Sequence, residues 1–128
     1  MGKIHPIRFK DTDHAHRFAE LDEAYSVGND PCRIALAYLI ALTDTTYKHR
    51  AEIYDEQERA IIPAAVNAAW QTGTSRRVTL LAFNLFTQGT AFCPEDHLHE
   101  LTPDNIFACN LAPYFCEVMA LTYAEYFD

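Results

Sequence analysis

A chain of 128 residues, 49% apolar and 22% charged, has the size and make-up of a single globular domain and lies far from the disordered regime. Ten Lys+Arg against eighteen Asp+Glu leave a formal charge of −8, which opposes direct binding to nucleic acid, since that affinity comes from Lys and Arg displacing counterions from phosphates. The four cysteines form no CxxC pair and read as reduced thiols, and neither a signal peptide nor a run of 18 apolar residues is visible, so no membrane partner is expected.

Residues 1–10 look extended, with Ile4, Ile7 and Phe9 placed to cover the domain. A first helix is expected from an N-cap at Thr12 or Asp13 to about Tyr25, its core stripe Phe18, Leu21 and Tyr25. Asp30-Pro31 supplies a second N-cap with proline at the first helical position, opening a strongly apolar helix to about Leu42. Asp44-Thr45-Thr46 restarts a polar surface helix to about Tyr54, and Asp55–Glu58 reads as a turn. Ile61-Ile62-Pro63 leads into a short helix, Ala64 to about Trp70.

Thr74 or Ser75 then caps the stretch that looks central. Seven of the eleven residues from Val78 to Gln88 are apolar and point all round a helix, which marks a buried one. Gly89 is a plausible residue to end it. Residues 90–101 lack periodicity, Thr102-Pro103-Asp104 caps a short piece to Cys109, and a last helix is expected from about Pro113 to Tyr126. No strand is expected, because β-branched residues never alternate. The fold class is therefore all-α: a single compact bundle of about six helices, 1–128, around a buried helix at 75–88.

Few patterns carry chemistry. The loop from Cys93 to Glu100 holds Cys93, Glu95, Asp96, His97, His99 and Glu100, and of these Cys93, His97 and His99 are weak candidates for a metal, since two histidines at i, i+2 ligate together only from an irregular loop. A solvated acidic loop is the simpler reading. His14 and His16, also at i, i+2, read as surface histidines, and Cys109 and Cys116 as small core side chains two helical turns apart. No GxSxG elbow or glycine-rich phosphate loop occurs, so no catalytic residue, no cofactor and no enzymatic activity are expected.

Polar groups inside apolar company are more informative. Arg77 and Asn84 share a face of the central helix, and Gln71, Ser75, Tyr114 and Glu117 are natural partners if the last helix packs alongside. These six form either a buried hydrogen-bond network that keeps the helices in register or a ligand pocket.

Trp70-Gln71-Thr72 followed by Ser75-Arg76-Arg77-Val78 and Leu81-Ala82-Phe83-Asn84-Leu85-Phe86 resembles a helical family of unknown function carried by bacterial phages and integrative mobile elements. His49 with Tyr54-Asp55, Thr102-Pro103 with Phe107, and Ala112-Pro113-Tyr114-Phe115 ahead of Tyr123–Tyr126 extend the resemblance over most of residues 34–127. The chain departs from it at Tyr47, where an arginine is expected, and at Ala124, where a proline is expected. The resemblance implies a mobile-element habitat in a bacterial cytoplasm and no assigned activity.

Charge and habitat together suggest a non-enzymatic protein that binds a basic host protein, in its sharpest form an anti-CRISPR-like inhibitor that competes for the nucleic-acid groove of a defence nuclease. The partner-binding groups would be Glu20, Asp22 and Glu23, then Asp55, Glu56 and Glu58, then Glu95 and Asp96; no oligomeric state is read. The alternative is a small-molecule or metal-binding protein with a polar pocket between the central and C-terminal helices.

Overall fold

Residues 6–127 are described by the structure, a computed structural model; Ile4 lies outside them. Helix α1 (Thr12–Ala24) starts from Asp11, not from Thr12 or Asp13, because the Asp11 carboxylate accepts the His14 N–H at 2.8 Å. Helix α2 (Pro31–Leu42) opens as Asp30-Pro31 predicts, with the Asp30 side chain accepting from the Cys32 N–H at 3.0 Å. The expected polar helix is broken at His49 into α3 (Asp44–Lys48) and α4 (Arg50–Ile53).

Contrary to the expectation of no strands, β1 (Tyr54–Asp55) and β2 (Ala60–Ile61) pair antiparallel, with Tyr54 opposite Ile61. The Asp55 carboxylate makes this hairpin by accepting the N–H groups of Gln57 and Glu58 at 3.0 and 3.1 Å, and Arg59 closes the turn in the left-handed region at φ 53°. A 3-10 turn, Pro63–Asn67, replaces the expected helix to Trp70.

Helix α5 (Gly73–Thr87) begins from Thr72 rather than Thr74 or Ser75, in a reciprocal capping box with Ser75. It ends with Gln88 at φ 57°, so the left-handed residue is Gln88 and not Gly89. The stretch read as aperiodic contains a second 3-10 segment, Glu95–Leu101, followed by α6 (Pro103–Ile106). Helix α7 (Ala112–Thr122) is shorter than predicted, and a 3-10 turn, Ala124–Tyr126, follows it. Beyond that turn's start Tyr126 and Phe127 stand in solvent, 80% and 59% exposed.

The protein is thus a compact, mainly α-helical domain. Its α5 is buried as expected through Val78, Leu80, Ala82, Phe83 and Leu85, but α2 is more deeply enclosed: every residue from Ala35 to Leu42 is at most 1% exposed. Alanines at 35, 37 and 41 let neighbours approach the α2 backbone, while Leu36, Leu39, Ile40 and Leu42 fill the space between them. Helices α1, α5 and α7 all pack on α2. Little of α7 touches α5, so the expected pairing of the last helix with the central one does not form; the face of α7 around Phe115 and Val118 meets α2 instead.

Residues 6–10 strap this arrangement together. The Tyr38 hydroxyl of α2 donates to the Arg8 carbonyl at 2.6 Å, the Lys10 N–H donates to His14 Nδ1 on α1 at 3.0 Å, and the Arg8 N–H donates to Glu117 on α7 at 3.0 Å. Removing bulk from α2 leaves a hole that no neighbour can collapse into, so Leu39→Ala is expected to lower the unfolding free energy by about 2–5 kcal/mol in urea titration. Exposed Lys48→Ala on α3 should change it by no more than about 0.5 kcal/mol.

Candidate functional site

Of the six polar residues expected to form one network or pocket, the structure brings two together. The Gln71 amide donates to the Ala65 carbonyl and to Thr79 Oγ1, both at 3.0 Å, and its oxygen accepts from Ser75 Oγ at 2.6 Å. Thr79 in turn donates to the Ser75 carbonyl at 2.9 Å, and Ser75 and Thr79 are each 1% exposed. This is a satisfied clamp between the 63–67 turn and the start of α5.

The other four point elsewhere. Arg77 Nε donates to the Asn105 carbonyl at 2.7 Å, tying α5 to α6. Asn84 Nδ2 donates to the Gly89 carbonyl at 2.9 Å, just past the end of α5. Tyr114 lies under the Arg8 guanidinium, 5.5 Å from its ring centre, and Glu117 holds the Arg8 N–H, so both belong to the strap. The polar pocket expected from these six residues is not assembled, because α7 sits on α2.

The Cys93–Glu100 loop is organised by a cation from outside it. Arg76 Nε and Nη2 donate to the two Glu100 oxygens at 2.8 and 3.1 Å, while Nη1 donates to the Val66 carbonyl at 2.7 Å and to Asn67 Oδ1 at 3.0 Å. His97 Nδ1 donates to the same Glu100 carboxylate at 2.9 Å. These bonds, Arg76 first, hold the Glu100 carboxyl below its ordinary value, whereas burial pushes the Cys93 thiol up, away from nucleophilic character.

A cavity of about 70 Å³ lies under this loop, with Cys93, His97 and Glu100 on one side and Leu80 and Arg76 on the other. Cys93, His97 and His99 do not gather as ligands: among the described residues no group of three or more His, Cys, Asp or Glu is placed to hold a metal, and the His97 and His99 rings stand 6.4 Å apart. All four cysteines are free thiols, and Cys116 faces solvent rather than sharing a core with Cys109.

Two histidines carry more structure than the spacing suggested. His14, read as a surface residue, is fully buried, stacked edge-on to Tyr38 and Phe9 at 4.6 and 5.1 Å. Its Nε2 donates to the Tyr38 carbonyl at 3.0 Å while Nδ1 accepts from Lys10, which is the neutral tautomer. The signal was present: His14 extends the Phe18, Leu21, Tyr25 stripe one turn back, at i−4. His49 lies flat on the Trp70 indole, with centroids 4.3 Å apart and planes within 1°, and both rings donate to the Glu52 carboxylate, at 2.7 and 3.1 Å.

The acidic residues singled out stand largely in solvent. Glu20, Asp22 and Glu23 lie exposed along the second half of α1, Glu56 and Glu58 at the hairpin tip, and Glu95 and Asp96 at the start of the second 3-10 segment. Asp55 is half-buried and shapes the hairpin, and Glu20 accepts a 2.7 Å bond from the Tyr47 hydroxyl. Tyr25 and Tyr54 pack at 4.6 Å, so the end of α1 and the first hairpin strand are neighbours. Tyr47, standing where an arginine was expected, lies between the Arg17 and Arg50 guanidiniums at 5.7 and 4.2 Å, where a third cation would be repelled.

What these features define is a mainly α-helical domain whose polar groups clamp one helix to the next. A family model for a family of unknown function, DUF6075, matches residues 4–128, and the chain belongs to that family. No curated protein and no solved structure matches it. Among the described residues no helix is long and apolar enough to cross a membrane.

The two shifted groups predict a pH profile. Burial holds His14 below its ordinary 6.5, against the pull of Tyr38 and Asp11 and with the push of Arg17 and Lys10. Its neutral form is the folded one, so its contribution is complete above 6.5 and is lost as pH falls from there through the lowered value. Glu100 acts the same way further down, with its contribution present above 4.5 and lost on acidification. Urea midpoints measured against pH should therefore fall in two steps. The upper step should vanish in His14→Gln. Glu100→Gln should shrink the lower one, to which Asp11 and Glu52, also held below their ordinary values by hydrogen bonds, contribute, and cost about 1–3 kcal/mol at neutral pH.

Proposed function

We propose that the protein is a non-enzymatic binding protein whose partner is basic. What supports the reading is the way charge is divided. Five of the seven arginines are engaged by the domain itself: Arg76 grips Glu100, Arg77 the Asn105 carbonyl, Arg33 Asp30, and Arg17 and Arg50 the Tyr47 ring. The carboxylates of Glu20, Asp22 and Glu23 on α1 and of Glu56 and Glu58 at the hairpin tip are left facing water.

A surface of that sign attracts Lys and Arg arrays and repels nucleic acid. A protein that holds its own nucleic acid in a basic groove offers such an array. In this reading the partner is a host nuclease, the chain is a mobile-element inhibitor acting in a bacterial cytoplasm, and these carboxylates occupy the groove in place of phosphates.

The test is capture by the tagged protein from a bacterial lysate, followed by titration of the captured protein once purified. Screening shortens from about 10 Å at 0.1 M salt to about 3 Å at 1 M, so the partner should be retained at the lower salt and released at the higher. The triple variant Glu20→Gln, Asp22→Asn, Glu23→Gln should weaken the purified complex at least tenfold. Retention that ignores salt, or a triple variant that binds as tightly, overturns the reading.

A further inference from the structure

Between α5, α6 and α7 the packing leaves a cavity of about 190 Å³, the consequence of α7 leaning on α2. The hollow is open to solvent on one side, which gives a small molecule a way in. Leu81 and Leu85 of α5 and Ile106 of α6, all buried, form its floor. The Phe107 ring, the Met119 thioether and the Tyr123 ring, each half-buried, form its walls.

Asn84 is the single amide in this lining. Its Nδ2 is committed to the Gly89 carbonyl, and among the described residues no donor reaches its Oδ1. That oxygen is therefore open to water, and with the Tyr123 hydroxyl it offers a ligand a hydrogen bond from a mainly apolar lining.

The geometry points to a binding site for a small aromatic molecule carrying one hydroxyl or amino donor, with the ring among Phe107, Met119 and Tyr123 and the donor on Asn84 Oδ1. Rings favour edge and offset contacts with other rings, and thioether sulfur favours ring edges, which selects an aromatic occupant over an aliphatic one. An apolar cavity of about 150 Å³ in another protein accepts benzene, so about 190 Å³ admits a ring with one or two small substituents. No carboxylate, imidazole or thiol lines the site, which leaves nothing for a metal to bind. The site shares no residue with the acidic groups and goes beyond the binding role proposed above.

The probe is p-cresol, titrated into isotope-labelled protein and followed by NMR, with 4-methylanisole as the same ring lacking a donor. Saturable shifts are expected at Leu81, Asn84, Ile106 and Met119, with a Kd of about 1 mM or tighter and binding of 4-methylanisole at least about threefold weaker. Met119→Trp and Leu101→Trp each place an indole in the hollow; whichever of them retains the folded spectrum should bind p-cresol at least tenfold more weakly. The map on the unaltered protein decides the matter even where a variant does not fold. Absence of saturable shifts, shifts confined to another surface, undiminished binding by a folded filling variant, or equal binding of the methyl ether overturns the proposal.

Discussion

Enclosure of α2 on every side is the constraint from which the remaining structure follows. A helix with eight successive residues at most 1% exposed must be wrapped by at least three amphipathic neighbours, and α1, α5 and α7 supply them. The alanines decide how close those neighbours come. The one large polar side chain in that run, Tyr38, then has to find an acceptor in a dry interior, and a carbonyl of the N-terminal strap provides it at 2.6 Å. His14 follows from the same demand: packed against Tyr38, it must be neutral, and each ring nitrogen needs a backbone partner. A strap of a few residues thereby ties α1, α2 and α7 together without any regular structure of its own.

The polar groups of the outer layer obey a related rule. Leaving a buried donor or acceptor unmatched costs more than a matched pair contributes, and among the described residues no buried side-chain nitrogen or oxygen is left without a partner. Gln71, Ser75 and Thr79 meet that condition at the start of α5, and Arg76 with Glu100 meets it for the loop that would otherwise float over Leu80. Using arginines in this way has an electrostatic consequence for the surface: Arg76 is neutralised by Glu100, while the carboxylates of Asp22, Glu23, Glu56 and Glu58 face outward.

Much of this was legible in the residues, and the exceptions share a cause. Local chemistry read well. Asp30-Pro31 starts α2, and the apolar run at 78–85 is buried. Periodicity identifies which face of a helix is buried but not what it meets, so the six-residue network inferred from Arg77, Asn84, Tyr114 and Glu117 failed at the step that paired α7 with α5. His14 was missed because its spacing to His16 was weighed for chelation rather than its spacing to Phe18 for packing. The hairpin escaped notice because two residues a strand carry no alternation; what makes it is the Asp55 carboxylate on the Gln57 and Glu58 amides. The segments that carry the acidic groups at 20–23 and 56–58 are separate in sequence and are brought near each other by the Tyr25–Tyr54 contact.

The misplaced α7 also accounts for the hollow beside α5. With Phe115 and Val118 fully turned to α2, α7 offers α5 only its flank, Met119 and Tyr123, and the short α6 cannot reach across the remaining gap. The hollow opens to solvent, and its aliphatic lining, Leu81, Leu85, Leu101, Pro103 and Ile106, meets there a thioether, two aromatic rings and one amide. Packing at the centre and space at the edge are two results of one geometric choice, the docking of α7 on α2.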